Sequence, residues 1–356
     1  MSVLLEKISR STLMRRSLSI SLISCSAVIL LALAPLWIPI LWVLDLLRGT
    51  SGLRCIAFIQ VFLIMELLGL LALLATWCVS PLLSDQAYMQ ANFRIQVWWG
   101  STLFECARRL FNLHSEIEGQ ELARQAPHVL LPRHASFADT AFACALISRP
   151  YGIRHRYALK RELLWDPCID VAGQRLKCIF LDRGTGRGAE EARRLADACA
   201  DLDTNEGVLI YPEGTRYSAV KRERRLAVLA RHQPEALPVA EALRNVLYPH
   251  ITGTYAAFES AGFPDALFLA HTGFEHSASF ASLWQGRMQG QRVQLRFWRI
   301  ASEHVPRERV AFSEWLIDQW QHMDEQLDAM KSGTVALKAD ADEPKAERQS
   351  NMEGRA

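Results

Sequence analysis

The stretch VLIYPEGTR, residues 208–216, places a short apolar run directly before a polar turn. The same order recurs where VLLPR leads into HASFAD, residues 134–139, and within IFLDR, residues 179–183. Each apolar run has the length and composition of a strand that is buried on both faces of a parallel sheet. Because ligands sit outside the carboxyl ends of strands in open α/β sheets, the three polar motifs are predicted to meet at one sheet edge.

Around these motifs, residues 115–330 alternate strand-like and helix-like patterns, which predicts an α/β fold with a largely parallel mixed sheet flanked by helices. The predicted buried strands are Val129–Leu131, Tyr157–Leu159, Cys178–Leu181, Val208–Tyr211 and Val246–Tyr248, with Gln291–Ile300 as an edge strand. The predicted helices are Asp139–Ser148, Ala189–Leu202, Pro238–Arg244 and Ser313–Met330. Residues 331–356 have the polar composition of a disordered tail.

Two apolar segments precede this domain. Residues 17–44 contain no charged side chain and residues 55–83 contain only Glu66, and each segment exceeds the roughly 20 residues that cross a bilayer core. We interpret residues 17–84 as a two-helix transmembrane hairpin. A re-entrant hairpin in one leaflet is the alternative, and a signal peptide or a lipoprotein box at Leu22–Cys25 fits the pattern less well.

Basic residues set the expected orientation of this hairpin. Four precede the first segment and two lie between the segments. The positive-inside rule therefore predicts a cytoplasmic N-terminus, residues 1–16, and a multi-pass protein of the cell (inner) membrane with its domain on the cytoplasmic face. Between hairpin and domain, an apolar stripe from Trp99 to Leu113 recurs at helical spacing. Residues 85–114 are thus predicted to form an amphipathic interfacial helix, or alternatively a helix that docks on the domain.

Composition excludes several classes of function. The net charge of +2 provides no basic field for nucleic acid. The eight cysteines form no C-x-x-C pair and have no histidine at zinc-ligand spacing. We therefore expect free thiols in a reducing compartment, no metal site and no bound cofactor.

His134 and Asp139 are the candidate base and its carboxylate partner. They lie five residues apart, so a regular helix would separate their side chains. They can meet if His134 lies in a loop and Asp139 in the first turn of the next helix. Asp139 would then fix the imidazole tautomer and stabilise the imidazolium, while the second ring nitrogen acts as general base. No Gly-x-Ser-x-Gly motif is present, which favours direct attack by a substrate hydroxyl without an acyl-enzyme.

The other two motifs supply candidate phosphate ligands. Arg183 and Arg216 carry guanidinium groups whose donor geometry matches phosphate. Gly214 allows close backbone approach and Thr215 adds a hydroxyl, whereas Glu213 could orient an arginine or bind a substrate hydroxyl. With apolar segments nearby, this set predicts a phosphate-bearing lipid substrate.

The three motifs together resemble the glycerolipid (lysophospholipid) acyltransferase family, including the 1-acyl-glycerol-3-phosphate acyltransferases and the lysocardiolipin and lysophosphatidylinositol branch. The first motif resembles the family's His-x4-Asp at His134 and Asp139. IFLDR is similar to the second block, and residues 211–216 to the third, with Tyr211 in place of Phe. Lys160–Pro167 resembles the Lys-x-Glu-Leu segment between the first two blocks. The resemblance covers roughly residues 115–255.

This resemblance implies transfer of a fatty acyl group from acyl-CoA or acyl-carrier protein to the free hydroxyl of a lysophospholipid. It also implies that Lys160 and Pro249 belong to the substrate site. The chain departs from the family pattern at Arg133, usually Asn, at Lys177, usually Gly, and at His250, often Arg in one branch. These departures leave the acceptor headgroup open.

Two other functions fit the same residues. A membrane-bound thioesterase or hydrolase would use the His134–Asp139 pair to activate water. A non-catalytic membrane protein could retain the fold, although both residues of the pair are present.

Overall fold

A seven-stranded sheet forms the centre of the protein in the computed structural model, which describes residues 11–136, 139–181, 188–275 and 280–333. Its strands are β1 (His114–Glu118), β2 (His128–Pro132), β3 (Arg154–Lys160), β4 (Ile179–Leu181), β5 (Glu206–Leu209), β6 (Asp265–Thr272) and β7 (Arg292–Ile300). Their order is β1-β7-β6-β2-β5-β3-β4, and every pair is parallel except β6–β7. The predicted fold class, a largely parallel mixed sheet flanked by helices, is confirmed.

Helices cover both faces of this sheet. Four precede it: α1 (Thr12–Ala32), α2 (Ala34–Arg48), α3 (Gly52–Cys78) and α4 (Asp85–Leu110). The others are α5 (Asp139–Phe142, continued by a π-helical segment Ala143–Ser148 and by Arg149–Tyr151), α6 (Pro167–Arg175), α7 (Gly188–Cys199), α8 (Ala219–His232), α9 (Leu237–Ala242), α10 (Ile251–Ser260), α11 (Phe280–Trp284) and α12 (Arg309–Ser332).

The position of β2 at the centre of the sheet explains why its sequence is apolar. Successive side chains of a strand point to opposite faces, so Val129 and Leu131 join one apolar core while Leu130 joins the other. Both faces are covered and the strand is buried along its whole length. Because β5 and β6 run parallel to β2 on either side, the residues that follow these three strands share one sheet edge.

Several predicted strands need correction. Val246–Tyr248 is buried but is not a strand, because its backbone bonds to side chains: Leu247 N–H donates to Glu213, and Trp320 Nε1 donates to the Leu247 carbonyl. The predicted edge strand is β7, an inner strand, since β1 pairs along its outer side. Strands β1 and β6 were not predicted.

The ends of the chain also differ from the prediction. Helix α12 runs to Ser332, two residues into the predicted tail. The rest of that tail, residues 334–356, and residues 1–10 lie outside the described residues. The described part of the predicted N-terminal segment already belongs to the start of α1.

The first apolar segment forms two helices instead of one. It breaks at Leu33, and Pro35 stands in the first turn of α2, where its missing N–H costs no helical hydrogen bond. Within the described residues, two helices, α1 and α3, are long and apolar enough to cross a membrane.

Helix α3 contacts the domain along its length. Near its start, the Ser51 N–H donates to the Trp284 carbonyl at 2.9 Å. In its middle, Glu66 is fully buried and accepts a hydrogen bond from the Cys168 N–H at 3.2 Å. Near its end, Arg175 donates to the Leu73 carbonyl at 2.9 Å. Helix α3 therefore lies against the domain along its length, while the transmembrane and re-entrant interpretations both remain predictions.

Helix α1 is attached to the domain by a buried ion pair. Arg15 and Arg16 each lie 2.9 Å from the Asp170 carboxylate of α6, and the side chains of Arg15 and Asp170 are 3% and 0% exposed. Arg15 and Arg16 are two of the four basic residues on which the predicted membrane orientation rests, and both are bound to the domain.

Helix α4 packs its apolar stripe against the protein. Leu103 is buried, and the Ser101 hydroxyl donates to the Cys144 carbonyl at 3.2 Å. A Cβ at Gly100 would lie 3.0 Å from the Cys144 side chain, so glycine permits this close approach. This face corresponds to the domain-docking alternative.

Replacing Asp170 with Asn should strongly destabilise the protein, because it removes the buried carboxylate charge that pairs with the guanidinium of Arg15. We expect the free energy of unfolding to fall by about 3–5 kcal/mol, measured by urea titration in detergent. The control Glu190→Gln breaks an exposed pair with Arg194 and should cost only about 0.3–0.5 kcal/mol. Similar small losses in both variants would contradict the attachment of α1 through Asp170.

Candidate active site

His134 and Asp139 are in contact at the carboxyl end of β2. The His134 Nδ1 and Asp139 Oδ2 atoms are 3.0 Å apart. Helical spacing does not separate the two side chains, because His134 lies in the loop after β2 and Asp139 begins α5. His134 in a loop and Asp139 in the first turn of the next helix is the arrangement predicted from the sequence. The catalytic roles of the two residues remain predictions.

The Asp139 carboxylate is fully buried and accepts several hydrogen bonds. The Ala135 and Ser136 N–H groups donate to Oδ2 at 2.7 and 2.8 Å, and the Ser136 hydroxyl donates to Oδ1. Burial raises the pKa of Asp139, but His271, His134 and Ser136 outweigh it and hold the pKa below its ordinary value. Asp139 is therefore an anion at neutral pH.

An anionic Asp139 determines the tautomer of His134. Its oxygens only accept hydrogen bonds, so the His134 Nδ1 must carry the hydrogen and Nε2 is the basic nitrogen. The Tyr211 ring stacks on the imidazole with a centroid distance of 4.1 Å. The His134 side chain is only 13% exposed, so its ring is held between the carboxylate and this tyrosine.

Glu213 holds two loops together through its carboxylate. Its Oε1 accepts the His134 N–H at 2.8 Å and its Oε2 accepts the Leu247 N–H at 2.9 Å. Burial raises the pKa of Glu213 to about 8, although both N–H donors oppose this shift. This contact places the backbone of His134, whereas the predicted contact of Glu213 with substrate remains a prediction.

Cationic side chains gather beside the histidine loop. The Lys221 ammonium donates to the Thr215 hydroxyl at 2.9 Å and to the Arg216 carbonyl at 3.0 Å. Burial, followed by the charges of Arg216 and Lys160, lowers the pKa of Lys221, which indicates that the three cations lie close together. Gly214 has φ of +70°, a conformation that glycine adopts without strain.

Arg183 and Pro249 are the two remaining predicted substrate residues of the second and fourth motifs. Arg183 lies outside the described residues. Pro249 belongs to the loop before α10, which is tied to the third motif because the His250 N–H donates to the Pro212 carbonyl at 2.8 Å. Arg225 also donates to the Tyr248 carbonyl at 3.2 Å.

Sequence reasoning missed two residues of this region. Lys221 was missed because it begins the basic run KRERR of α8, and such a run is typical of a solvent-exposed helix face. His271 was missed because β6 was not predicted, yet its Nε2 lies 3.5 Å from Asp139 Oδ1. The useful signal was a polar pair, His271 and Thr272, directly after an apolar run.

An apolar cavity of about 390 Å³ lies between α3, α4 and the domain. Phe62 of α3, Leu103 of α4 and Ala172 of α6 form parts of its wall. Thr140 and Ala141, the two residues after Asp139, also line it. The cavity therefore reaches the helix that carries the candidate carboxylate.

Comparison with known proteins shows what this domain is similar to. Residues 114–266 match the family model Acyltransferase. The 1-acyl-sn-glycerol-3-phosphate acyltransferase epsilon of Mus musculus is 26% identical over 209 residues, which are 56% of this chain and 56% of that protein. The chain thus spans about half the length of this curated relative. The crystal structure of PlsC, the 1-acyl-sn-glycerophosphate (LPA) acyltransferase from Thermotoga maritima, has 12% identity and a TM-score of 0.46, covering 74% of this chain and 99% of that chain.

The candidate active site lies within the segment that matches the family model. The strands and loops that carry His134, Asp139 and Arg216 fall inside residues 114–266. This part of the chain is similar to the Acyltransferase family, in agreement with the resemblance seen in the sequence motifs.

Proposed function

We propose that the protein is a membrane-associated acyltransferase that moves a fatty acyl group from acyl-CoA or acyl-carrier protein to the free hydroxyl of a lysophospholipid, 1-acyl-glycerol-3-phosphate or a related lipid. The observation that carries this proposal is the contact between His134 and the buried Asp139. This pair lies between an apolar cavity and a group of cations. A base between an apolar region and an anion-binding region suits the hydroxyl of a lipid that also bears a phosphate.

The proposed reaction uses His134 as general base. Its Nε2 takes the proton from the acceptor hydroxyl while that oxygen attacks the thioester carbonyl carbon. The tetrahedral intermediate then collapses, the carbon–sulfur bond breaks, and the imidazolium returns the proton to the leaving thiolate. The Asp139 anion stabilises the imidazolium between these two transfers.

Direct attack is supported by the position of Ser136. It is the serine closest in sequence to the candidate base, but its side chain is fully buried and its hydroxyl donates to Asp139. This hydroxyl is committed to holding the carboxylate, so an acyl-serine intermediate at Ser136 would disrupt the dyad.

The cations beside the dyad are proposed to bind the acceptor phosphate. Lys160, Arg216 and Lys221 supply charge, while Gly214 and Thr215 allow backbone approach and a hydroxyl contact. A charged hydrogen bond of this type contributes about 1.5–3 kcal/mol. Arg183, from the second motif, is proposed to join them.

The apolar cavity is proposed to hold the acyl chain. Its volume of about 390 Å³ falls in the range of small-molecule pockets. Its walls come from both the N-terminal helices and the domain, so the apolar helices would form part of the substrate site as well as the membrane attachment.

Membrane attachment is proposed to involve one leaflet. Helices α1 and α2 expose large apolar side chains, among them Leu22, Leu31, Leu46 and Leu47 at 59–75% exposure. Lipid contact would remove this surface from water. The contacts of α3 with the domain at Ser51, Glu66 and Leu73 keep the loop before it on the side of the domain.

His134→Ala should remove nearly all acyl transfer, because general-base assistance is worth roughly 10²–10⁴-fold. Asp139→Asn should be nearly as damaging, since it removes the charge that stabilises the imidazolium. The exposed His114 provides the control, and His114→Ala should keep normal activity. Retention of more than about a tenth of the rate by His134→Ala would show that the base is another group.

Ala172→Phe should shorten the preferred acyl chain, because the added ring enters the apolar cavity. We expect the ratio of rates with long-chain and short-chain donors to fall roughly tenfold or more, as overpacking opposes the long chain. Ala198→Phe places the same ring in α7 against the core on the other face of the sheet and should leave the ratio unchanged. An unchanged ratio in Ala172→Phe would place the acyl chain elsewhere.

A topology reporter inserted after Thr50 should lie on the same side of the membrane as one fused after Gly333. The loop at Ser51 bonds to Trp284 of the domain, so a one-leaflet attachment keeps both reporters together. Opposite locations for the two reporters would instead establish a hairpin that spans the membrane.

A further inference from the structure

A fully buried histidine lies near the Asp139 carboxylate, at the oxygen that His134 does not contact. His271 stands near the end of β6 and is 0% exposed. Its Nε2 lies 3.1 Å from the Arg133 carbonyl oxygen and 3.5 Å from Asp139 Oδ1. Both oxygens accept hydrogen bonds, so Nε2 must carry a hydrogen that points toward the carboxylate and the carbonyl.

The second nitrogen of this ring determines its charge. Nδ1 is buried and has no hydrogen-bond partner among the residues that the structure describes, and the Phe142 ring packs against the imidazole at a centroid distance of 5.0 Å. An N–H at this position would be unsatisfied, which is costly in an apolar environment. Burial correspondingly lowers the pKa of His271, against the opposing effect of Asp139. The ring is therefore neutral at neutral pH and donates through Nε2.

Arg133 fixes this histidine in place from two sides. Its carbonyl accepts the Nε2 hydrogen bond, and its guanidinium donates to the His271 carbonyl at 2.7 Å. The same guanidinium pairs with Glu275 at 2.5 Å and is only 1% exposed. The family motif resembled here usually has Asn at this position, whereas this chain has a charged anchor directly before its candidate base.

We propose that His271 is a positioning residue that holds Asp139 in place and lowers the proton affinity of His134. This inference rests on the proposed function in that His134 is the base whose proton affinity matters. The Nε2–H dipole stabilises the negative charge of Asp139. A better stabilised carboxylate attracts the proton of the imidazolium less strongly, so His134 remains neutral, and able to accept a proton, at lower pH.

Other charged groups around these residues act in the same region. Those that influence His271 are Asp139, Arg133 and Glu275. On the other side of the carboxylate, Tyr211 and Arg216 respond to the charge of Asp139. Lys331 of α12 adds a positive charge near Arg133 and Glu275. A variant at position 271 leaves all of these groups unchanged.

The test measures the pKa of His134 directly, without relying on catalysis. The full chain in detergent is treated with diethyl pyrocarbonate, which modifies neutral imidazole, and the rate at His134 is followed by peptide mass spectrometry across pH. In His271→Leu we expect the pKa of His134 to rise by about half a unit or more. His271→Gln, whose amide can donate from the position of Nε2, should stay closer to the original protein.

A matched control removes a different buried histidine. His155 is fully buried and pairs with His128 at 2.9 Å in another part of the sheet, so His155→Leu should leave the pKa of His134 unchanged. Should His271→Leu fail to fold, His271→Asn decides the matter, because its shorter amide cannot reach Asp139 from the Nε2 position and should also raise the pKa.

The acid limb of kcat/KM for acyl transfer should move upward with this pKa. An unchanged His134 pKa in the Leu or Asn variant, or an equal rise in His155→Leu, would overturn the assignment. A shifted pKa in a protein that transfers no acyl group would support His271 as a positioning residue while refuting the proposed function.

Discussion

Asp139 is a carboxylate buried without access to water, and the candidate active site depends on how its charge is satisfied. An ionised carboxylate is strongly unfavourable in a protein interior unless donors meet its oxygens. Here the donors come from the loop after β2 and from the imidazole of His134, while His271 approaches from β6. The path of the loop, the start of α5 and the orientation of His134 follow from this requirement. One strand away, the buried carboxyl group of Glu213 ties the histidine loop to the loop at Leu247, but here burial raises the pKa to about 8.

The N-terminal helices have a second role besides their apolar surface. Glu66 is the one charged side chain in the second apolar segment, and it is buried against Cys168 of the domain. With the buried pair between Arg15 and Asp170, it joins α1 and α3 to α6. The cavity wall is consequently shared between helices and domain, so an acyl chain entering from lipid would approach Asp139 without crossing water. This arrangement couples the proposed membrane attachment to the proposed chemistry.

The sequence predicted those parts of the molecule whose signal is local. Strands β2 and β4 and the later parts of β3 and β5 are short apolar runs, and the polar residues after them could be placed at one sheet edge from the sequence alone. Contacts between distant segments could not be predicted in this way. The polar pair at the end of β6 marks a strand end but does not show that His271 approaches Asp139, because an apolar run of this length also fits a buried helix. Likewise, hydropathy identified the segment around Glu66 as apolar but could not show that the domain, and not a partner helix, receives the carboxylate.

Direct product analysis of the unmodified protein tests the central claim. The full chain, purified in detergent, is incubated with labelled acyl-CoA or acyl-carrier protein and a panel of lysophospholipids that differ in headgroup. Both the released thiol and the labelled lipid are quantified. The account predicts that thiol release requires an acceptor and equals the diacyl phospholipid formed. Free fatty acid released at the same rate with or without acceptor would identify a hydrolase, and the absence of thiol release with either donor would contradict catalysis by His134 and Asp139.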